Sequence, residues 1–110
     1  ALLSLPNPPT AIFAGNNALG EAVLTVIREQ SLNIPSDISL VMFDDVPWAC
    51  HTSPRLTVVN QPTHDLGYIG MEVLDRRLRA QEEGAQIARQ KTILLPELII
   101  RESCAGPRMR

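Results

Sequence analysis

Two short apolar runs, residues 10–15 and 37–43, bracket an amphipathic segment, and this order constrains the chain more than any other feature. The first run, Thr10-Ala-Ile-Phe-Ala-Gly15, stops at Asn16 and Asn17, which are turn and helix-cap residues. A short buried strand is expected there. Between 18 and 30, Leu19, Ala22, Val23, Val26 and Ile27 recur at the spacing of one buried helical stripe. Asn16 or Asn17 can cap that helix, and Glu21 sits near its positive end. Pro35 stops it, because proline has no N–H for the ladder and drives Ile34 towards an extended conformation. The second run, Asp37-Ile-Ser-Leu-Val-Met-Phe43, carries five apolar residues in seven and suits a strand covered on both faces, as in a parallel sheet. It ends in Asp44-Asp45.

Beyond this unit, residues 46–54 bring together Pro, Trp, Cys, His, Thr and Ser and read as a functional loop. A third strand is expected over 56–60. Pro62 and Thr63 open a second helix, to about Glu83, with Leu66, Ile69, Val73, Leu74 and Leu78 on one side. Glu72/Arg76 and Asp75/Arg79 are i, i+4 pairs on the outer side, worth about 0.2–0.5 kcal/mol each. Gly84 is a natural stop. A last strand region spans 91–101, broken or placed at an edge by Pro96, and the polar tail from Cys104 to Arg110 is expected to be loose. The order β-α-β-β-α-β predicts an open α/β sheet whose first crossover is right-handed.

Composition excludes several classes. With 10 Lys+Arg against 12 Asp+Glu the net charge is -2, which does not suit a self-standing nucleic-acid module that neutralises phosphates. No apolar run reaches the ~18–20 residues of a membrane span. Two cysteines are too few for a disulfide scaffold and suit a reducing compartment, so a cytoplasmic location is expected. The opening Ala-Leu-Leu-Ser-Leu-Pro has neither an initiator Met nor a basic leader and reads as a chain beginning mid-protein. Cys50, His51, His64 and Cys104 do not have metal-ligand spacing. His64-Asp65 lacks a nucleophile elbow, and Gly15 and Gly20 do not make a phosphate loop. No catalytic residue, metal site or cofactor is therefore expected.

In open α/β sheets, ligands sit beyond the carboxyl ends of parallel strands. Asn16 and Asp44 occupy those positions on successive strands of one β-α-β unit. An amide that donates and accepts, beside a carboxylate that accepts, suits a neutral polyhydroxylated ligand. A capping role for Asn16 and a turn role for Asp44 are the structural alternatives.

The same stretches carry a family resemblance. Pro9-Thr-Ala-Ile-Phe-Ala-Gly-Asn-Asn-Ala-Leu-Gly20 resembles the P-T-A-I-F-A-x-N-D-x-x-A-x-G segment of LacI/GalR transcriptional regulators. Ile34-Pro-Ser-Asp-Ile-Ser-Leu-Val-Met-Phe-Asp-Asp45 is similar to that family's V-P-x-D-I-S-V-V-G-F-D-D. Ser53-Pro-Arg-Leu-Thr-Val-Val-Asn-Gln-Pro62, Leu66-Gly67 and Leu95-Pro-Glu-Leu-Ile-Ile-Arg-Glu-Ser103 resemble its later motifs. The resemblance implies the C-terminal part of an effector-binding domain with a two-lobed, periplasmic-binding-protein-like fold. It assigns 1–61 to the C-terminal lobe, 62–88 to a helix of the N-terminal lobe, and 89–110 to a return strand and tail. Asn16 and Asp44 then fall where the family contacts its effector.

The departures are Asn17 for the family's Asp, a short Asn-to-Gly20 spacing, Ser31 for a helix-ending Gly, and Met42 for the Gly before Phe-Asp-Asp. A left-handed Ser31 costs on the order of 1 kcal/mol. Met42 implies a backbone less closely approached near the pocket.

The function implied is sensing of a small sugar-like effector by a dimeric, cytoplasmic regulator. Residues 21–29 and 46–53 are the candidate dimer contacts, and Trp48 a packing anchor, pocket wall or dimer contact. Operator DNA would be reached only through a domain outside these residues. A periplasmic or surface sugar-binding protein of the same fold is the alternative, and a hydrolase the third class. The stripe Leu66, Ile69, Val73 and Leu74 is expected to be buried against the chain's own sheet or, by exchange, against a second copy, since each buried aliphatic contributes about 1.5–3 kcal/mol.

Overall fold

The computed structural model describes residues 2–106. These fall into two compact units: the residues up to Asn60 together with those from Glu97 onward, and Gln61–Pro96.

The first unit is an open sheet in the order β1-β2-β3-β4, formed by β1 (Ala11–Ala14), β2 (Ser39–Phe43), β3 (Thr57–Asn60) and β4 (Glu97–Ile99). The first three strands are parallel, with Ala14 opposite Met42 and Met42 opposite Val58. β4 runs antiparallel to β3, with Val59 opposite Leu98. The expected mostly parallel α/β sheet is therefore present. The last strand is shorter than the sequence pattern suggested: it begins immediately after Pro96, while Ile93 and Leu95 upstream of it are exposed.

Helix α1 (Asn17–Glu29) covers one face of this sheet. Ala14, Leu40, Met42, Ala49, Leu56 and Val58 form the buried core, with Ile12, Val23, Leu24 and Ile99 packed around it. The stripe expected on α1 is displaced by about one residue. Gly20 and Ile27 are buried and Val23 and Leu24 half-buried, whereas Leu19 and Val26 are exposed. The reason is Gly20, where a Cβ would lie 2.3 Å from the Met42 sulfur. Only glycine allows the helix axis so near the strand, and this rotates the contact face towards residues 20, 23, 24 and 27. The opposite face of the sheet presents Phe13, Leu98 and Ile100, all exposed, whereas on β2, the strand expected to be covered on both faces, Ser39 is buried and Val41 and Phe43 are half-buried.

Both helices end alike. Leu32 N–H donates to Ile27 O and Ser31 N–H to Arg28 O, each at 3.0 Å, with Ser31 at φ 54. Ala85 N–H donates to Ala80 O and Gly84 N–H to Gln81 O, with Gly84 at φ 71. These are paired Schellman bonds, and Ser31 holds the left-handed position that Gly84 occupies in the other helix.

Residues 46–54 are more ordered than a loop. Pro47–Cys50 form a 3-10 helix whose Ala49 is buried, with Ala49 O accepting from Leu56 N–H at 2.9 Å. Nor is the start of the tail loose. Ser103 O accepts from Leu40 N–H at 2.9 Å, and Ala105 N–H donates to Ser39 Oγ at 3.1 Å. Residues 107–110 of that tail lie outside the described residues.

In the second unit, α2 (Thr63–Glu82) keeps the Asp75–Arg79 pair at 2.9 Å, while Arg76 turns to Gln90 instead of Glu72. Leu66, Leu74 and Leu78 are exposed. Ile69 and Val73 of the same stripe are half-buried. β3 pairs directly with β4, and residues 61–96 join the two strands along the chain.

Candidate functional site

Parallel pairing of β1 and β2 brings the two predicted positions to one edge of the sheet. Ala14 and Met42 are register partners, and Asn16 and Asp44 each lie two residues beyond them. Asn16 is extended (φ -164, ψ 174), and its Oδ1 accepts the Leu19 N–H at 2.8 Å, which makes it the N-cap of α1. The cap uses one acceptor; the amide remains at the surface, since Asn16 is exposed. Asn17 Oδ1 accepts the Ala18 N–H at 3.0 Å.

Asp44 is half-buried and holds φ 80. A left-handed residue other than glycine costs on the order of 1 kcal/mol and persists where its surroundings over-determine it. Asp44 N–H donates to Val59 O at 3.0 Å, which ties the turn to β3. The next residue is held more firmly. Arg101 grips Asp45 with both arms, Nη1 to Oδ1 at 2.9 Å and Nη2 to Oδ2 at 2.7 Å. Nη1 also donates to Leu56 O at 3.0 Å. The two side chains are only 15% and 21% exposed. The carboxylate raises the proton affinity of the guanidinium above its ordinary value through that hydrogen bond. Sequence reasoning did not single out Arg101 and Asp45, because they are brought together only by the register of β3 and β4.

Phe13 and Phe43, on the uncovered face of the same two strands, meet edge to face with ring centroids 6.4 Å apart. Met42 points the other way, fully buried against Gly20. A wide hollow lies elsewhere: a groove of about 600 Å³ between α1 and the segment after the 3-10 helix, lined by Leu24, Arg28, Leu32, His51 and Pro54 among others. It adjoins a hollow of about 290 Å³ that shares Leu24 and Arg28 and is walled by Trp48. Neither is lined by Asn16 or Asp44.

Other polar residues have structural partners. Cys50 Sγ contacts Pro47 O at 3.1 Å, and His64 stacks on Tyr68 with the rings 6° from parallel. Among the described residues, no three His, Cys, Asp or Glu side chains gather as a metal set would require. No helix is long and apolar enough to cross a membrane.

The family model described as "Periplasmic binding protein-like domain" matches residues 1–104. The chain belongs to that family. It is 41% identical over 107 residues to a protein of Rhizobium rhizogenes named "Probable opine utilization operon repressor", covering 96% of this chain and 52% of that one. It is 29% identical to a solved LacI-type transcriptional regulator from Bacillus cereus subsp. cytotoxis NVH 391-98, with TM-score 0.87, covering 97% of this chain and 36% of that one. A solved complex of the transcriptional regulator CelR with cellobiose is 32% identical with TM-score 0.76, over 86% of this chain and 28% of that one. Within the periplasmic binding protein-like family, the chain is thus a part of a LacI-type effector-binding domain, spanning about half the length of its opine-repressor relative and about a third of each of the two solved regulators. These relatives are named as transcriptional regulators.

Proposed function

We propose that this chain is the effector-sensing part of a LacI-type transcriptional regulator, and that Asn16 and Asp44 contact a sugar or related metabolite. The observation that carries the reading is the parallel β1–β2 register, which sets an amide-bearing and a carboxylate-bearing residue past adjacent carboxyl ends of the sheet. Asp44 accepts from ligand hydroxyls. Asn16 keeps its Oδ1 on the helix and offers its NH2 donors. The CelR–cellobiose complex supports a sugar-like ligand, and the repressor relatives favour a regulator over a periplasmic or surface sugar-binding protein.

In this reading, 1–61 belong to the C-terminal lobe, 62–88 are a helix of the N-terminal lobe and 89–110 are the return strand and tail, and closure on the effector shifts an existing equilibrium by its differential affinity for the two states. The regulator works in the cytoplasm without enzymatic activity, and reaches operator DNA through a segment outside these residues. It acts as a homodimer. The exposed apolar edge of α1, where Leu19, Ala22 and Val26 line a hollow of about 240 Å³ with Leu2 and Leu3, supports a second copy docking there, as does the groove beside Trp48 and His51.

The test is calorimetric titration of the intact protein with D-ribose, cellobiose and D-xylulose. At least one is expected to bind, with affinity lost in Asp44→Ala and reduced in Asn16→Asp, which keeps the cap but removes the amide donors. Binding that is unchanged in Asp44→Ala overturns the assignment.

A further inference from the structure

We infer that Arg101 is a positioning residue for Asp44, acting through its two-armed grip on Asp45. The inference rests on the reading that Asp44 contacts the effector, and adds the device that aims it. Arg101 is fixed at both ends. Its own N–H donates to Thr57 Oγ1 at 3.0 Å, anchoring its backbone to the start of β3. Its guanidinium spans Asp45 and the Leu56 carbonyl, 2.7–3.0 Å from each acceptor. The peptide linking Asp44 to Asp45 is thus held on one side by the ladder bond from Asp44 N–H to Val59 O, and on the other by the fork on Asp45.

Between these two restraints Asp44 keeps φ 80, a left-handed conformation that costs any residue with a side chain, although aspartate adopts it more readily than most. Releasing Asp45 lets the Asp44 backbone rotate back to negative φ, and the carboxylate swings with it. A planar fork also fixes direction, which a lysine ammonium, as a point charge, does not. Arg55–Glu102 offers a contrast on the same sheet. There the guanidinium places both of its bonds on the single oxygen Oε1 while Arg55 N–H donates to Oε2, and the side chains are 58% and 51% exposed.

The experiment compares wild type, Arg101→Lys, Asp45→Asn, the double variant and Asp44→Ala in the intact protein. Without ligand, amide hydrogen exchange by NMR is expected to speed up at Asp44 in Arg101→Lys and Asp45→Asn, while Phe13 and Val41 amides keep wild-type rates. A merely structural loss would accelerate all three alike. In titrations with D-ribose, cellobiose and D-xylulose, each single variant is expected to weaken sugar binding about tenfold, the scale of one lost charge-assisted contact. The double variant binds no more weakly than the worse single, because both remove one contact. Asp44→Ala abolishing binding while Arg101→Lys and Asp45→Asn bind as wild type overturns the positioning role alone. Normal binding by Asp44→Ala overturns the effector assignment and this role with it. Unchanged Asp44 exchange in both single variants, or additive losses in the double variant, also refutes the role.

Discussion

Replacing Gly20 with alanine places a methyl group where the structure has no room. An ideal Cβ at Gly20 lies 2.3 Å from Met42 Sδ and 2.9 Å from Met42 Cγ. Met42 is fully buried among Leu40, Ala49, Leu56 and Val58, so its thioether must move into occupied space or lift the helix. Overpacking of this kind costs about 1–3 kcal/mol. Against it, alanine is favoured over glycine inside a helix by about 1 kcal/mol. Gly20→Ala is therefore expected to destabilise the protein by about 1 kcal/mol net, from roughly 0 to 2. The sharper test is a change of sign. Met42→Ala alone costs about 2–5 kcal/mol by opening a cavity. In that background the clash is absent, and Gly20→Ala should stabilise by about 1 kcal/mol. Urea unfolding of the four proteins measures the coupling, expected at about 1–3 kcal/mol. If Gly20→Ala stabilises both backgrounds equally, the close approach of α1 to β2 is wrong.

Three further outcomes follow from single contacts. Ser31→Gly relieves a left-handed serine in a Schellman motif and should raise stability by a few tenths to about 1 kcal/mol; a loss of stability in thermal unfolding would contradict the motif. Ser103 is fully buried, accepting the Thr57 N–H at 2.8 Å and donating to Leu40 O. Ser103→Ala strands that N–H and should cost about 1–3 kcal/mol in urea unfolding, and a cost near zero would show the hydroxyl to be dispensable. Hydrogen bonds from Arg55 hold the Glu102 carboxyl below the usual carboxylate range. A depressed folded-state value stabilises above the unfolded value near 4.3, and that contribution is lost as pH falls through the folded value. In Arg55→Ala the Glu102 side-chain carboxyl should titrate at higher pH than in wild type, moving towards the ordinary range while the bond from the residue-55 N–H to Oε2 is kept; titration unchanged from wild type would count against the pair.

Much of this domain could be read from local pattern. The strand–helix–strand order, the cap at Asn16, the stop at Gly84 and the left-handed strain at Ser31 depend on residues within a few positions of one another. Such features follow from backbone sterics and from the few groups a short segment can reach. The placement of Asn16 and Asp44 past neighbouring strand ends was legible for the same reason, since one β-α-β unit sets both.

Tertiary structure alone decided the rest. Which side of α1 is buried depended on Gly20 meeting Met42, 22 positions away. The antiparallel return of β4 aligned Arg101 with Asp45 across 56 positions and brought Ser103 to the backbones of β2 and β3. Periodicity reports that a face is apolar but not which strand it will meet. A buried charge or hydroxyl finds its partner only once register is set, because strand pairing brings together residues that are far apart along the chain.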